Sequence, residues 1–235
     1  MTSPVEGRSF LDIETSVKTY KQIIPDLLAA HALTECDTVA SPQGIGKMTA
    51  LKVLKSNTCK LDQLGQIDNG QPLTAAAENQ SVAFVLACYG QESCRSLTEA
   101  RQRTWIKKIA QRRASAPQLS SLTPTDEACR QNILRAQLQV AIWRHALDPH
   151  PPDLDVTLHG WSRHEGTDSL RPVTVPEGVA LIPQELVELI KCSCKAEIPC
   201  RTQRCSCRSA GLPCSPFCTC KGEAPCENTN TSLVD

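Results

Sequence analysis

Nine cysteines crowd into the 35 residues from 192 to 226, and they constrain this chain more than any other feature. They are Cys192, Cys194, Cys200, Cys205, Cys207, Cys214, Cys218, Cys220 and Cys226, with three Cys-x-Cys pairs among them. The 191 residues before Cys192 hold only five more. The first nine residues are polar and lack the apolar core of a signal peptide, so the thiols are expected to stay reduced. Nine is odd, and a tail closed by disulfides alone would strand one thiol. Both points favour metal over disulfides.

Zinc takes four ligands in a tetrahedron, and thiolate is a preferred soft donor. Two separate four-thiolate sites would leave one cysteine over. Three zinc ions need twelve coordination positions, and the nine thiolates supply twelve if three of them bridge. The count therefore fits a compact three-zinc cluster without remainder. The alternative of a metal-buffering tail does not need non-cysteine residues held in register.

The three pairs, the intervening gaps, Ala210-Gly211 ahead of Cys214 and the closing Cys226-x-Asn228 resemble the tesmin-like CXC domain. The resemblance covers about residues 191–228. It implies three zinc ions on the nine cysteines and, as in several members of that family, contact with DNA. Here there is one repeat where tesmin-like proteins usually have two, and Arg204 stands where that repeat has a tyrosine. Single-repeat relatives in chromatin proteins are closer at that position. By position, the resemblance assigns DNA contact to Lys195, after the first pair, and to Arg204, before the middle pair. Arginine suits a narrow, electronegative minor groove. Arg201 and Arg208 are expected to add phosphate contacts, which give affinity without sequence information.

Charge limits that reading. Six basic and three acidic side chains lie in 191–228, against a net −3 for nine thiolates with three zinc ions. The module is close to neutral and is expected to bind weakly by itself, burying well under ~1,000 Å² on DNA. The whole chain has formal net charge zero, so it is not a general polyanion binder. Residues 94–113 nevertheless carry seven basic groups and one acid, whereas 148–190 carry eight acids and two arginines.

Before the cysteines the pattern is helical. The spacing predicts helices over 26–35 and 47–56, with Leu27, Leu28 and Ala32 facing inward on the first and Met48, Leu51 and Leu54 on the second. Residues 57–78 read as loops and 79–88 as a buried helix ended by Gly90. A basic amphipathic helix is expected over 94–113, its apolar side formed by Leu97, Trp105, Ile106, Ile109 and Ala110. Thr123 and Pro124 read as the cap and first position of a helix running to about Leu147. Its stripe is expected to hold Leu134, Leu138, Ala141, Ile142 and His145. Residues 148–182 read as an acidic Pro/Gly-rich linker, and Pro183 opens a last short helix from Gln184 to Ile190. Cys36, Cys59, Cys88, Cys94 and Cys129 are expected to act as small buried hydrophobes.

The stretch His31 to Leu54 resembles the end of the nuclease domain in 5′ nucleases of the flap endonuclease class. The match is Cys36-Asp37, then Gly44-Ile45-Gly46-Lys47, then Thr49-Ala50-Leu51. The resemblance implies a helix–hairpin–helix turn over about 23–56 that holds DNA phosphate through backbone N–H groups near Gly44 and Gly46, with Lys47 adding charge. It makes Asp37 a remnant of the catalytic metal cluster. Two-metal hydrolysis needs several converging carboxylates. Only 36 residues precede Asp37, too few for the family's α/β core. The ordinary alternative for the turn is a plain αα-hairpin.

The expected organisation is mostly α: a helical region over 1–147, a linker over 148–182, a cysteine module over 183–228 and a short tail over 229–235. This combination of parts resembles multicopy animal open reading frames from mobile elements. The expected function is zinc-dependent DNA binding in the nucleus, with DNA and chromatin proteins as partners and no membrane role. The rival readings are a fragment of a metal-dependent 5′ nuclease and a zinc module that docks protein.

Overall fold

The computed structural model describes residues 12–67, 71–111, 119–164, 166–167, 169–175, 190–215 and 218–229; side chains at 109–111 and 120 are not described. Among these residues the chain is mostly helical. The helices are α1 (Ile13–Tyr20), α2 (Ile24–Leu33), α3 (Lys47–Lys55), α4 (Ala75–Cys88), α5 (Leu97–Gln111), α6 (Asp126–Arg144) and α7 (Ser206–Ala210). No helix among the described residues is long and apolar enough to cross a membrane.

Local chemistry sets the helix ends. Asp12, Thr74 and Thr125 cap α1, α4 and α6 by accepting backbone N–H bonds in their first turns. Pro25 sits in the first turn of α2, where its missing N–H costs nothing. The cap of α6 is Thr125, not Thr123. Thr123 is buried and donates to the Leu97 carbonyl instead, so the expected cap serves tertiary structure. Asp126 then caps α5 from outside, accepting from the Leu97 and Thr98 amides at 2.8 and 3.2 Å.

The core of the helical region lies where α6 packs on α2 and α4, with α3 against both of those and α5 against α4. Ala29, Leu33, Leu54, Phe84, Leu97, Ile133 and Val140 are among its buried members. Most residues expected to face inward do so, among them Ala32, Leu54, Leu97, Trp105, Leu134, Leu138 and Ala141, but four do not. Met48 is 78% exposed, Ile106 55% and Ile142 49%, and Leu28 also faces out, while Ala30, Leu33, Val53 and Ile133 are buried. Apolar residues ring α2 and α6 on several sides, so periodicity alone does not select the contact face. Of the five cysteines outside the tail, Cys88, Cys94 and Cys129 are buried and Cys36 and Cys59 half-buried.

Buried polar groups pin the loops to this core. Asp26, 2% exposed, accepts from the Leu61 amide at 2.7 Å. Gln137 accepts from the Gly65 amide at 2.5 Å and donates to the Gln66 carbonyl at 2.6 Å. An unpaired buried backbone group costs about 1–3 kcal/mol, so these two side chains fix the path of the 57–67 segment. Gly65 has φ +82° and lies so close to α6 that an added Cβ would meet Val140 Cγ1 at 2.3 Å.

Residues 148–182, expected as an irregular linker, contain ordered structure. A 3₁₀ turn at Val156–Leu158 leads into an antiparallel hairpin, β1 (Trp161–Arg163) with β2 (Leu170–Pro172). Arg135 of α6 holds the hairpin by donating to the Gly160 and Val173 carbonyls at 3.0 and 3.2 Å, with Trp161 stacked near its guanidinium. The proposed helix over 184–190 falls outside the described residues except for Ile190, which is buried.

Among its described residues the cysteine module contains one short helix, α7, and otherwise turns. Backbone bonds tie its ends together: Thr219 N–H to Cys192 O at 2.9 Å, Cys214 N–H to Asn228 O at 2.7 Å and Glu227 N–H to Pro199 O at 3.1 Å. It sits against the helical region, sharing one buried cluster with Trp105 of α5, Leu122 and Ile190.

Gly65→Ala combines a strained φ with a backbone–side-chain clash. It is expected to lower stability by about 2–3 kcal/mol, read as a drop in the thermal midpoint by calorimetry. An unchanged midpoint would mean that the 57–67 segment is not packed on α6 as described.

Candidate metal centre

The nine tail sulfurs form one connected set. Cys192 Sγ lies 3.5 Å from Cys200, 3.9 Å from Cys214 and 3.6 Å from Cys220. Cys200 is 3.5 Å from Cys214 and 3.5 Å from Cys220, and Cys205 is 3.7 Å from Cys214. Cys207 and Cys218 are 3.4 Å apart. A disulfide needs about 2.05 Å, so none of these contacts is one. Four thiolates at about 2.3 Å around one tetrahedral ion stand about 3.8 Å from one another. The observed separations bracket that edge length.

Three overlapping groups of four bring their sulfurs within 4.8 Å of one another: Cys192, Cys200, Cys214 and Cys220; Cys192, Cys205, Cys207 and Cys214; Cys192, Cys194, Cys200 and Cys205. Cys192 belongs to all three, and Cys200, Cys205 and Cys214 each belong to two. Shared membership means that the sulfurs gather in one cluster and not in separate sites. Cys218 joins through Cys207, and Cys226 joins through Cys220. The set is all sulfur and largely buried, which suits a soft cation such as zinc.

Outer contacts orient the ligands. Cys205 caps α7, its sulfur accepting from the Arg208 amide at 3.5 Å. Cys218 accepts from the Cys192 and Ser215 amides at 3.5 and 3.4 Å. Asn228 serves twice: its amide N–H points to Cys226 Sγ at 3.4 Å, and its side-chain Nδ2 reaches Cys214 Sγ at 3.4 Å and the Leu212 carbonyl at 2.8 Å. Such donors hold thiolates in place and temper their charge. Two backbone positions are tight. Cys200 has φ +67°, and a Cβ on Gly222 (φ +68°) would meet the Cys214 carbonyl oxygen at 2.5 Å.

Electrostatics divide the thiols. Burial pushes Cys192 up to about 12 and raises Cys200, Cys207 and Cys214. Burial also opposes ionisation of Cys205 and Cys218, but amide N–H donors together with neighbouring side-chain donors outweigh it and both are lowered. For Cys220, burial is overcome by the Gly222 amide and by neighbouring thiols, and the value falls to about 7. Some sulfurs are thus poised as anions, while others hold protons that a cation must displace.

Other expected site residues fall out unevenly. Lys195 and Arg204 are exposed on the module and make no ion pair among the described residues. Arg201 is exposed and lies 4.0 Å from Glu227. Arg208 turns inward, its Nε donating to Cys200 O at 2.6 Å and a terminal nitrogen to Glu227 O, so it braces the fold. Gly44 takes φ +78°, and Gly46 caps α3 in an extended conformation. Lys47 folds back onto the C-terminal end of α2, donating to His31 O at 2.9 Å, Thr34 Oγ1 at 3.3 Å and Glu35 O. Those bonds use its three donors on two carbonyls and one hydroxyl at and just past the end of α2, and burial lowers its pKa. Asp37 is exposed in the turn between Cys36 and Val39 and belongs to none of the groups with metal-holding spacing.

Two residues named in the sequence reading take roles at the cluster that it did not assign. Trp105 is 1% exposed in the cysteine cluster, and its Nε1 is buried without a hydrogen-bond partner. Asn228 stands two residues after the last cysteine, and that fixed offset is the signal that singles it out.

No family model matches the chain, and neither does any curated protein or solved structure.

Metal loading of the reduced chain is expected to release protons, because the raised thiols must ionise to bind. The sign follows: apparent affinity rises with pH from about 6 to 8. Titration calorimetry in buffers of different ionisation enthalpy measures this, and an uptake independent of buffer and pH would contradict it. In a Trp143→Phe/Trp161→Phe background, chelation should shift the emission of Trp105 to longer wavelength. Unchanged emission would mean that the module and helical region do not depend on metal together.

Proposed function

We propose that residues 190–229 form a three-zinc thiolate module that gives a nuclear protein its grip on DNA. The observation that carries the zinc reading is the set of three overlapping four-sulfur groups, the sulfurs of each within 4.8 Å of one another. Those groups take in seven of the cysteines, Cys218 and Cys226 lie beside Cys207 and Cys220, and three ions with three bridging thiolates would engage all nine. A segment this short cannot hold itself together by burial alone, and a structural zinc site contributes about 10–16 kcal/mol of folding free energy in small zinc domains.

The DNA reading is supported by Lys195 and Arg204, which are exposed and free of ion pairs among the described residues. Arg208 and Lys47 are satisfied within the chain and are assigned structural roles. Gly44 and Gly46 leave room for a phosphate, since no atom lies within 4 Å of a Cβ built on either. The α2–α3 turn is therefore a secondary contact in this reading. The protein-docking reading also has an observation behind it, since the module is seated on Trp105 and Leu122 of its own chain.

Native mass spectrometry of the reduced full chain should count three zinc ions; two or none would overturn the cluster. In mobility-shift titrations, Lys195→Ala/Arg204→Ala should weaken DNA binding and reduce the salt slope by about 2. Unchanged DNA affinity with zinc retained would remove these contacts and favour the docking reading.

A further inference from the structure

The helical region holds a second feature that the zinc module does not use. A partly open pocket of about 340 Å³ is lined by residues of α2, α4, α5 and α6 and of the 40–43 and 119–124 segments. That volume is at the lower end of small-molecule sites, which run from about 300 to 1,000 Å³. Its wall is largely apolar, with Leu33, Val85 and Ile133 from three helices.

Two arginines line it, Arg101 and Arg135, each 9% exposed. Among the described residues no acid lines it. The two lining groups able to ionise as acids are both held neutral, since burial pushes Tyr89 and Cys129 up to about 12. The acids beyond the wall are engaged elsewhere. Asp126 takes the Leu97 and Thr98 amides, and Glu78 pairs with Arg130 at 3.2 Å. On its far side Arg135 borders a second cavity that includes Glu35 and Asp37, yet it forms no ion pair among the described residues.

Arg135 donates from Nη1 to two carbonyls and from Nη2 to Asn132 Oδ1 at 3.3 Å. A guanidinium has five N–H donors, so its Nε–H and one Nη2–H stay available. Arg101 donates to the Thr123 carbonyl. Carbonyl dipoles offset only part of the cost of burying a cation, and burial lowers the pKa of both arginines. A bound anion would offset more of it, and the planar guanidinium fork matches an oxyanion.

We propose that this cavity binds a small oxyanion, a carboxylate or phosphate carried on an apolar body, gripped by Arg101 and Arg135. The charged end meets the two guanidiniums, and the apolar body fills the space walled by Leu33, Val85 and Ile133.

The test titrates the reduced, zinc-loaded full chain with benzoate, phenyl phosphate, benzyl alcohol and sodium chloride. Arginine Nε–Hε resonances and the thermal midpoint are followed. Benzoate or phenyl phosphate should shift both saturably at millimolar concentration or below, and which of them binds tighter identifies the headgroup. Arg135→Gln should weaken binding at least about tenfold. The proposal is overturned if neither anion saturates, if benzyl alcohol or chloride matches them, or if a cooperatively melting Arg135→Gln binds as well as the parent. If that variant does not fold, the wild-type resonances decide. The readout lies in the helical region and is independent of whether the cysteine module touches DNA.

Discussion

Nine thiols gathered inside one small module cannot all ionise unless cations sit among them. That constraint organises the C-terminal part of the molecule. Burial drives Cys192 up to about 12, while the Gly222 amide and neighbouring thiols bring Cys220 down to about 7, so the metal-free cage is internally divided. Metal resolves the division by neutralising the thiolates together. It also explains why a module with only one short helix has a defined path, since its sulfur-to-metal bonds would substitute for the backbone ladder it lacks.

The module is not an appendage. Trp105 and Leu122 belong to the same buried cluster as the cysteines, and Leu119 and Leu122 also line the arginine cavity. The 119–122 segment therefore touches both candidate sites. Within the helical region, the same economy of polar groups recurs. Asp26, Gln137, Arg135 and Lys47 each turn a charge or amide toward backbone atoms that would otherwise be unpaired. These side chains explain how loops with little apolar content stay in place.

The cysteine spacing was legible because metal coordination fixes residue type and count locally. Helix existence was legible for the same kind of reason, since α4 and α6 carry long apolar patterns near where they form. What was not legible depends on partners distant in sequence. Lys47 reads as a phosphate contact until His31 and Glu35 are placed beside it. Arg208 reads as surface until the Cys200 and Glu227 carbonyls converge on it. Thr123 reads as the cap of α6 until its bond to the Leu97 carbonyl is in view, and Thr125 caps the helix in its place. The hairpin at 161–172 was hidden because its anchor, Arg135, lies on α6.

The most direct test is X-ray absorption at the zinc edge of the reduced, zinc-loaded full chain. The account predicts a shell of four sulfurs near about 2.3 Å around each ion and a metal–metal shell from shared thiolates. A first shell containing nitrogen or oxygen, or sulfur shells with no neighbouring metal, would contradict it.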